Sequence, residues 1–272
     1  MLTRINFLTA GESHGRGLLG IIDGIPSGLE ISKEYIDVQL KRRQMGHGRG
    51  GRMKIENDAV EIWSGVRDGK TIASPIGLIV KNKDWENWKN KMSVEKMGKT
   101  PRKVTLPRPG HADLAGVEKY GFDDIRNVLE RSSARETTMR VALASVCRKL
   151  LGDIGIHVAS RVVQIHDIVD SSSISSNFKI QKLNQLADKS PVRCLNGNIE
   201  KEMIQVIDHA KSQGDSVGGV FEVIATGMPH GLGSYTQWNK KLQAKITSLM
   251  MSVNAYKAIE IGSGFNSGAK FG

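Results

Sequence analysis

Two of the seven histidines stand in turns whose neighbours would hold the ring still. His14 lies in Gly11-Glu12-Ser13-His14-Gly15, beside a serine and flanked by glycines. His111 lies in Arg108-Pro109-Gly110-His111-Ala112-Asp113, where Pro and Gly set a turn that presents the side chain. An imidazole titrates near neutral pH, so a ring in each of two stiff turns points to proton transfer. At either position alone a structural histidine is an equally good reading. The other histidines have plainer surroundings: His157 and His166 read as strand or edge residues, and His209 as a helix-face residue. His230 lacks a distinctive context, and His47 sits in a basic loop from which it could approach a ligand.

Cations gather in patterns that suit a bound anion. The chain has 39 Lys and Arg against 28 Asp and Glu, a formal charge of +11. That balance fits nucleic acid, a membrane surface or an anionic small substrate. Lys41, Arg42, Arg43, Arg49, Arg52 and Lys54 follow one another without an intervening acid, mixed with Gly46, Gly48, Gly50 and Gly51. Glycine lets backbone approach a ligand, and guanidinium offers a planar fork to phosphate or carboxylate. A solvated basic surface loop is the bland alternative, and it does not need the glycines. A second group, Arg131-Ser132-Ser133-Ala134-Arg135-Glu136-Thr137-Thr138, opens a helix, where hydroxyls and free N–H groups favour anions. An ordinary capped helix would explain the serines but not the two arginines together.

Other patterns fail on context. Gly11-x-Ser13-x-Gly15 fits the nucleophile elbow of serine hydrolases, but ten residues of preceding chain cannot build the sheet an elbow needs. Gly214-Asp215-Ser216-Val217-Gly218-Gly219 resembles a serine-protease loop interrupted by Val217. Two GxGxxG matches, at Gly15-Gly17-Gly20 and Gly46-Gly48-Gly51, lack the strand-then-helix setting of a dinucleotide site. No cluster has metal-ligand spacing, so no metal site is expected. Cys147 and Cys194 are far apart and read as plain core or surface thiols of a reducing cytoplasm. No apolar run reaches the roughly 18 residues of a membrane helix, and the start does not look like a signal peptide.

The elements that must position these groups are mixed α and β. Hydrophobic residues at 39% and charged residues at 25% suit a globular fold. Leu18–Ile22 and Val220–Ala225 read as strands, as do Val60–Val66 and Thr71–Val80, which the Asp68-Gly69 pair joins as a hairpin. Ser32 caps a helix reaching about Arg43, with Ile36 and Leu40 one turn apart. A longer helix spans Arg135–Leu151, with Met139, Leu143, Val146 and Leu150 on one face and Gly152 ending it. Further helices cover 199–212 and 239–251, and the Lys-rich segment 83–103 reads as a flexible insertion. The stretch Gly11–Leu29 recurs at Gly214–Leu232 with seven identities, Gly11, Ser13, Gly15, Gly24, Pro26, Gly28 and Leu29. Chance similarity of glycine-rich loops is the alternative to an internal duplication with pseudo-twofold symmetry. Strict βαβ alternation is missing, which argues against an open doubly wound sheet.

Taken together, Gly11–Gly15, Arg42–Met53, Arg108–Asp113, Arg131–Thr137, Gly214–Gly219 and Val253-Asn254-Ala255 resemble the chorismate synthase family in order and across the chain. The resemblance implies an α+β single domain, β-α-β sandwich-like, over residues 1–272. It implies a lyase converting 5-enolpyruvylshikimate 3-phosphate to chorismate and phosphate by trans-1,4 elimination with reduced FMN, in aromatic amino-acid biosynthesis. By the same resemblance His14 would serve proton balance at the flavin, and His111 would be the acid toward the departing phosphate. Ser13, Arg43, Arg49, Arg52 and Arg135 would hold the substrate. Arg131, Ser132, Ser133, Asn254 and Ala255 would contact FMN, and Arg43 and Arg49 would also serve NADPH in members that reduce their own flavin. A cytoplasmic homotetramer, helped in some members by an external flavin reductase, completes the expectation, with neither nucleic acid nor membrane as partner.

In that family the pattern runs on past Gly272, and the second repeat copy is followed by far fewer residues than the first. A C-terminally truncated chain, weak or inactive by itself, is therefore expected. The rivals are a basic nucleic-acid-binding protein, which would explain the charge but lacks aromatics and any reading motif, and a serine hydrolase.

Overall fold

The computed structural model describes residues 4–98, 101–175 and 177–271. Lys99 and Thr100 of the expected insertion lie outside the described residues, as do the side chains of Met53 and Lys54 in the basic stretch. The strands are β1 (Asn6–Ala10), β2 (Gly17–Asp23), β3 (Val60–Ile62), β4 (Val66–Arg67), β5 (Lys70–Thr71), β6 (Ile76–Lys81), β7 (His157–Ile165), β8 (Ile168–Val169) and β9 (Gly219–Thr226). The helices are α1 (Lys33–Gln44), α2 (Trp85–Met92), α3 (Asp113–Tyr120), α4 (Arg126–Leu129), α5 (Glu136–Asp153), α6 (Leu183–Ala187), α7 (Gly197–Ser212) and α8 (Leu242–Met251).

Alternation along β2 and β6 builds the main core. Leu18 and Ile22 face the same side as Ile76, Leu78 and Val80 across the antiparallel register Leu18↔Val80 and Ile22↔Ile76. The sheet order is β1-β2-β6-β3. Against this face lie α1, through Ile36 and Leu40, and α5, through Met139, Ala142, Leu143 and Val146. A Cβ on Gly20 would come within 2.6 Å of Met139 Cγ, so α5 rests directly on β2. The Ser32 hydroxyl accepts the Tyr35 N–H at 3.2 Å, which caps α1 as its sequence demands. A second sheet, β8-β7-β9, buries Ala159 beside Ile180 and Leu183.

Three local expectations need correction. The 60–66 and 71–80 strands are each broken, because Gly65 and Ala73 have left-handed φ values of 80° and 62°. The hairpin turn at Asp68-Gly69 stands, with φ of 50° and 70°, but it joins only the short β4–β5 ribbon. Helix α5 runs through Gly152 and stops before Gly155, whose φ of 80° supplies the left-handed stop. Finally, part of the segment that composition marks as flexible forms α2.

The two repeat copies share backbone geometry. Gly11 and Gly214, Gly24 and Gly227, and Gly28 and Gly231 all have positive φ. A Cβ on Gly24 would lie 1.8 Å from Arg4 O, and one on Gly227 would lie 2.1 Å from Gly155 O. In both copies, then, glycine permits the same close approach to the antiparallel partner strand, β1 beside β2 and β7 beside β9. Among the described residues no helix is long and apolar enough to cross a membrane.

Candidate active site

The loop Gly11–Gly15 joins β1 to β2 and is tied down from two directions. Glu130, just after α4, takes the Ser13 N–H on its backbone oxygen at 2.9 Å and the His14 N–H on Oε2 at 2.6 Å. From the end of β6, the Asn82 amide donates to Gly15 O at 2.8 Å, Ser13 O at 3.1 Å and Glu12 O at 3.2 Å. Gly11 is required where it stands: its φ is 100°, and a Cβ would lie 2.4 Å from Gly17 O. Ser13 is buried, and its Oγ accepts from Arg52 Nη1 at 2.6 Å and from Ser133 Oγ at 3.1 Å. Among the described residues no histidine ring bonds that hydroxyl, so the elbow reading fails on geometry as well as on sequence.

The His14 ring is held on three sides. Its Nδ1 lies 2.8 Å and 3.0 Å from the two carboxylate oxygens of Glu130. The face of the ring stacks on Trp88, with centroids 3.9 Å apart and planes inclined by 24°. Its Nε2 is 4.0 Å from Asp84 Oδ2, and that oxygen accepts the Trp88 indole N–H at 3.1 Å. Trp88 belongs to α2, so the expected insertion contributes a wall of the site. The lysines hid a short amphipathic turn: Arg16 lies 5.9 Å from the Trp85 ring centroid, while Lys91 and Arg126 lie 4.8 and 5.7 Å from that of Trp88.

Beneath the loop three guanidiniums share two buried carboxylates, Glu56 and Asp58. Arg52 contacts Glu56 Oε1 at 3.1 Å while also holding the Ser13 hydroxyl and carbonyl. Arg43 donates to Thr137 Oγ1 and Ala134 O, with Nη1 3.6 Å from Asp58 Oδ2. Burial pulls the Arg43 guanidinium down to about 10, against the favourable field of Asp58. Arg135 is the most buried of the three. It is 4% exposed and turned inward, donating to Asp58 Oδ1 at 2.6 Å and Asn82 Oδ1 at 2.9 Å. It therefore braces Asn82 and the carboxylates. Arg49 is exposed, and its Nε donates to Met45 O at 3.0 Å. The cluster keeps a net positive charge.

Arg131 donates to Thr9 O and Thr9 Oγ1 at 2.7 Å and to Gly11 O at 3.2 Å. Among the described residues no carboxylate pairs with it, so its charge is available to an anion. Asn254 donates to Ser132 O at 3.0 Å and Ser133 O at 3.3 Å, tying the distant C-terminal segment to the start of α5. Beside it Ala255 takes a left-handed φ of 72°. The Ser132 hydroxyl turns back to Val128 O at 2.8 Å. Residues far apart in the chain thus meet around Ser13 and His14.

His111 stands in a cluster of its own. Its Nδ1 is 2.5 Å from Asp113 Oδ1, and Arg108 Nη2 lies 3.1 Å from both ring nitrogens. Arg108 holds the Asp113 carboxyl down to about 2, chiefly by its side-chain hydrogen bond, with burial opposing. Among the described residues no hydrogen bond or ion pair joins this cluster to His14. His47 pairs with Asp208 at 2.7 Å. Sequence reasoning missed Glu130, Asn82, Trp88, Glu56 and Asp58. Only Glu130 carried a signal, through its place immediately before Arg131.

The family model described as chorismate synthase matches residues 5–272. A chorismate synthase of Listeria welshimeri is 50% identical over 271 residues, covering 98% of this chain and 69% of its own length. One from Enterococcus faecalis is 53% identical over 264 residues, covering 96% of this chain and 68% of its own. A crystal structure of chorismate synthase superposes with a TM-score of 0.83 at 40% identity, covering all of this chain and 73% of that one. With a family match over nearly its whole length and a site built from the residues that carry the likeness, the chain belongs to the chorismate synthase family of lyases.

Proposed function

We propose that the chain catalyses the trans-1,4 elimination of phosphate from 5-enolpyruvylshikimate 3-phosphate to give chorismate, using reduced FMN, in aromatic amino-acid biosynthesis. The observation that carries the reading is that Arg52 and Ser133 hold Ser13 while Arg131, which has no carboxylate partner among the described residues, holds Gly11 O of the same loop that carries His14. A substrate with two carboxylates and a phosphate, beside a second phosphate on the flavin, needs cations that acids have not neutralised. Arg131 fits that need, since carbonyl and hydroxyl oxygens hold it in place without cancelling its charge.

Reduced FMN, when bound, would supply the electronic chemistry of an elimination with no net redox change. The chain's own groups do the rest. Arg131, Ser132, Ser133, Asn254 and Ala255 would receive the flavin. Ser13, Arg43, Arg49 and Arg52 would hold the anionic substrate, Arg135 would brace them, and His14 would exchange a proton at Nε2. His111, steadied by Asp113 and Arg108, would give its proton to the departing phosphate. NADPH as reductant near Arg43 and Arg49, or an external flavin reductase, belongs to the same reading, as does a cytoplasmic location. A homotetramer belongs to the same reading, and the exposed side of the first sheet, where Leu8, Leu19 and Ile21 stand 70%, 47% and 49% exposed, would suit an interface between copies.

The test is H111A, assayed for phosphate release at saturating substrate and reduced FMN. Turnover should fall by roughly 10²–10⁴ while FMN affinity stays within about twofold. Unchanged turnover would remove His111 as the acid.

A further inference from the structure

We infer that Glu130 is a positioning residue that fixes the proton of neutral His14 on Nδ1 and so reserves Nε2 for chemistry. The inference rests on the proton-handling role given to His14 above. Glu130 is 2% exposed, and among the described residues no Lys or Arg pairs with its carboxylate. A buried carboxylate without a cation must be satisfied by donors. It has two within reach, the His14 main-chain N–H at 2.6 Å and His14 Nδ1 at 2.8 and 3.0 Å. The main-chain group can only donate. As the carboxylate, Glu130 offers nothing to donate, and in that form Nδ1 carries the hydrogen. The Trp88 stack blocks one ring face, and Glu130 occupies the Nδ1 edge. What remains is the Nε2 edge, on a side chain 21% exposed and 4.0 Å from Asp84 Oδ2. Neutral His14 therefore presents an unprotonated Nε2 to whatever lies beside the loop. A proton taken up there would make an imidazolium facing Glu130 on one side and Asp84 on the other.

A glutamine of the same shape cannot do this. It has one acceptor oxygen, which the shorter main-chain N–H contact holds at the Oε2 position, and this leaves the amide nitrogen at the Oε1 position, the nearer of the two to Nδ1. Its NH2 group then faces Nδ1 at the 2.8 Å position, where two donors would repel, and this favours Nδ1 as acceptor with the ring hydrogen on Nε2. Aspartate keeps two acceptor oxygens on a shorter arm.

The test is nitrogen-15 NMR of the 272-residue chain with ring-labelled histidine, at a pH where the rings are neutral, the His14 signals being assigned by their loss in H14A. The expected result is a protonated Nδ1 in the native chain and in E130D, and a protonated Nε2 in E130Q. A native spectrum with the proton on Nε2, or an E130Q spectrum unchanged from it, would overturn the inference; the native spectrum decides alone if E130Q does not fold. Turnover separates this from the underlying reading. E130Q should lower kcat by roughly 10²–10⁴, the scale of a wrong-tautomer lesion, with KM nearly unchanged, and E130D should recover part of the loss. If the tautomer switches as stated while H14A turns over normally, the role of His14 fails and the positioning by Glu130 stands.

Discussion

Asn82 is the least conspicuous residue of the site, and exchanging it for aspartate is a sharp test of how the loop is held. The change alters neither shape nor volume. In the native chain the side-chain NH2 sits 2.8 to 3.2 Å from three carbonyl oxygens of the Gly11–Gly15 loop, and Oδ1 accepts from Arg135. In N82D an oxygen faces those three oxygens without a hydrogen between them. Two N–H donors are lost, each worth about 1 kcal/mol net, and the buried acceptors are left without partners. Arg135 offers little compensation because Asp58 already holds it at 2.6 Å. The sum is a destabilisation of about 2–3 kcal/mol. For a chain of this size that lowers Tm by roughly 4–12 °C. Protonating the new carboxyl restores one donor, so the loss should be smaller at pH 5 than at pH 7. Because the same contacts place Ser13 and His14, kcat should fall by about 10². The assays are thermal unfolding by circular dichroism at both pH values and steady-state phosphate release. An N82D chain that melts within about 1 °C of the native one and turns over normally would refute the reasoning.

Two further outcomes follow from neighbouring contacts. The Asp113 carboxyl is held down to about 2, below its ordinary 3.8, so it adds stability above about pH 4 that disappears as pH falls through 2. D113N should be less stable than the native chain in urea at pH 7, and the gap should close progressively toward pH 2; a gap independent of pH would contradict the assignment. Trp88 stacks on His14 at 3.9 Å, a contact worth about 1 kcal/mol. W88A should therefore lower kcat about fivefold and W88F much less, and equal rates for W88A and the native chain would show that the stack does not hold the ring.

Local chemistry was legible wherever neighbours in sequence decide the outcome. The Ser32 cap, the apolar face of α5 and the turn at Asp68-Gly69 need only their own stretch of chain. The same holds for His14 in its loop and His111 beside Asp113, two residues away. Long-range partners were not legible. Asn82 meets Gly15 from 67 residues away, and Glu130 meets His14 from 116. Nothing in an isolated Asn or Glu distinguishes one that anchors a loop from one that faces water. Arg135 makes the same point from the other side. Its sequence setting offers a cation at a helix start, but packing α5 on β2 turns the guanidinium onto Asp58. Sequence alone therefore pointed to residue types suited to the chemistry and to the loops that carry them. Only the tertiary structure decided which cations face outward and which carboxylate holds the histidine, because a charge's role depends on what surrounds it in space.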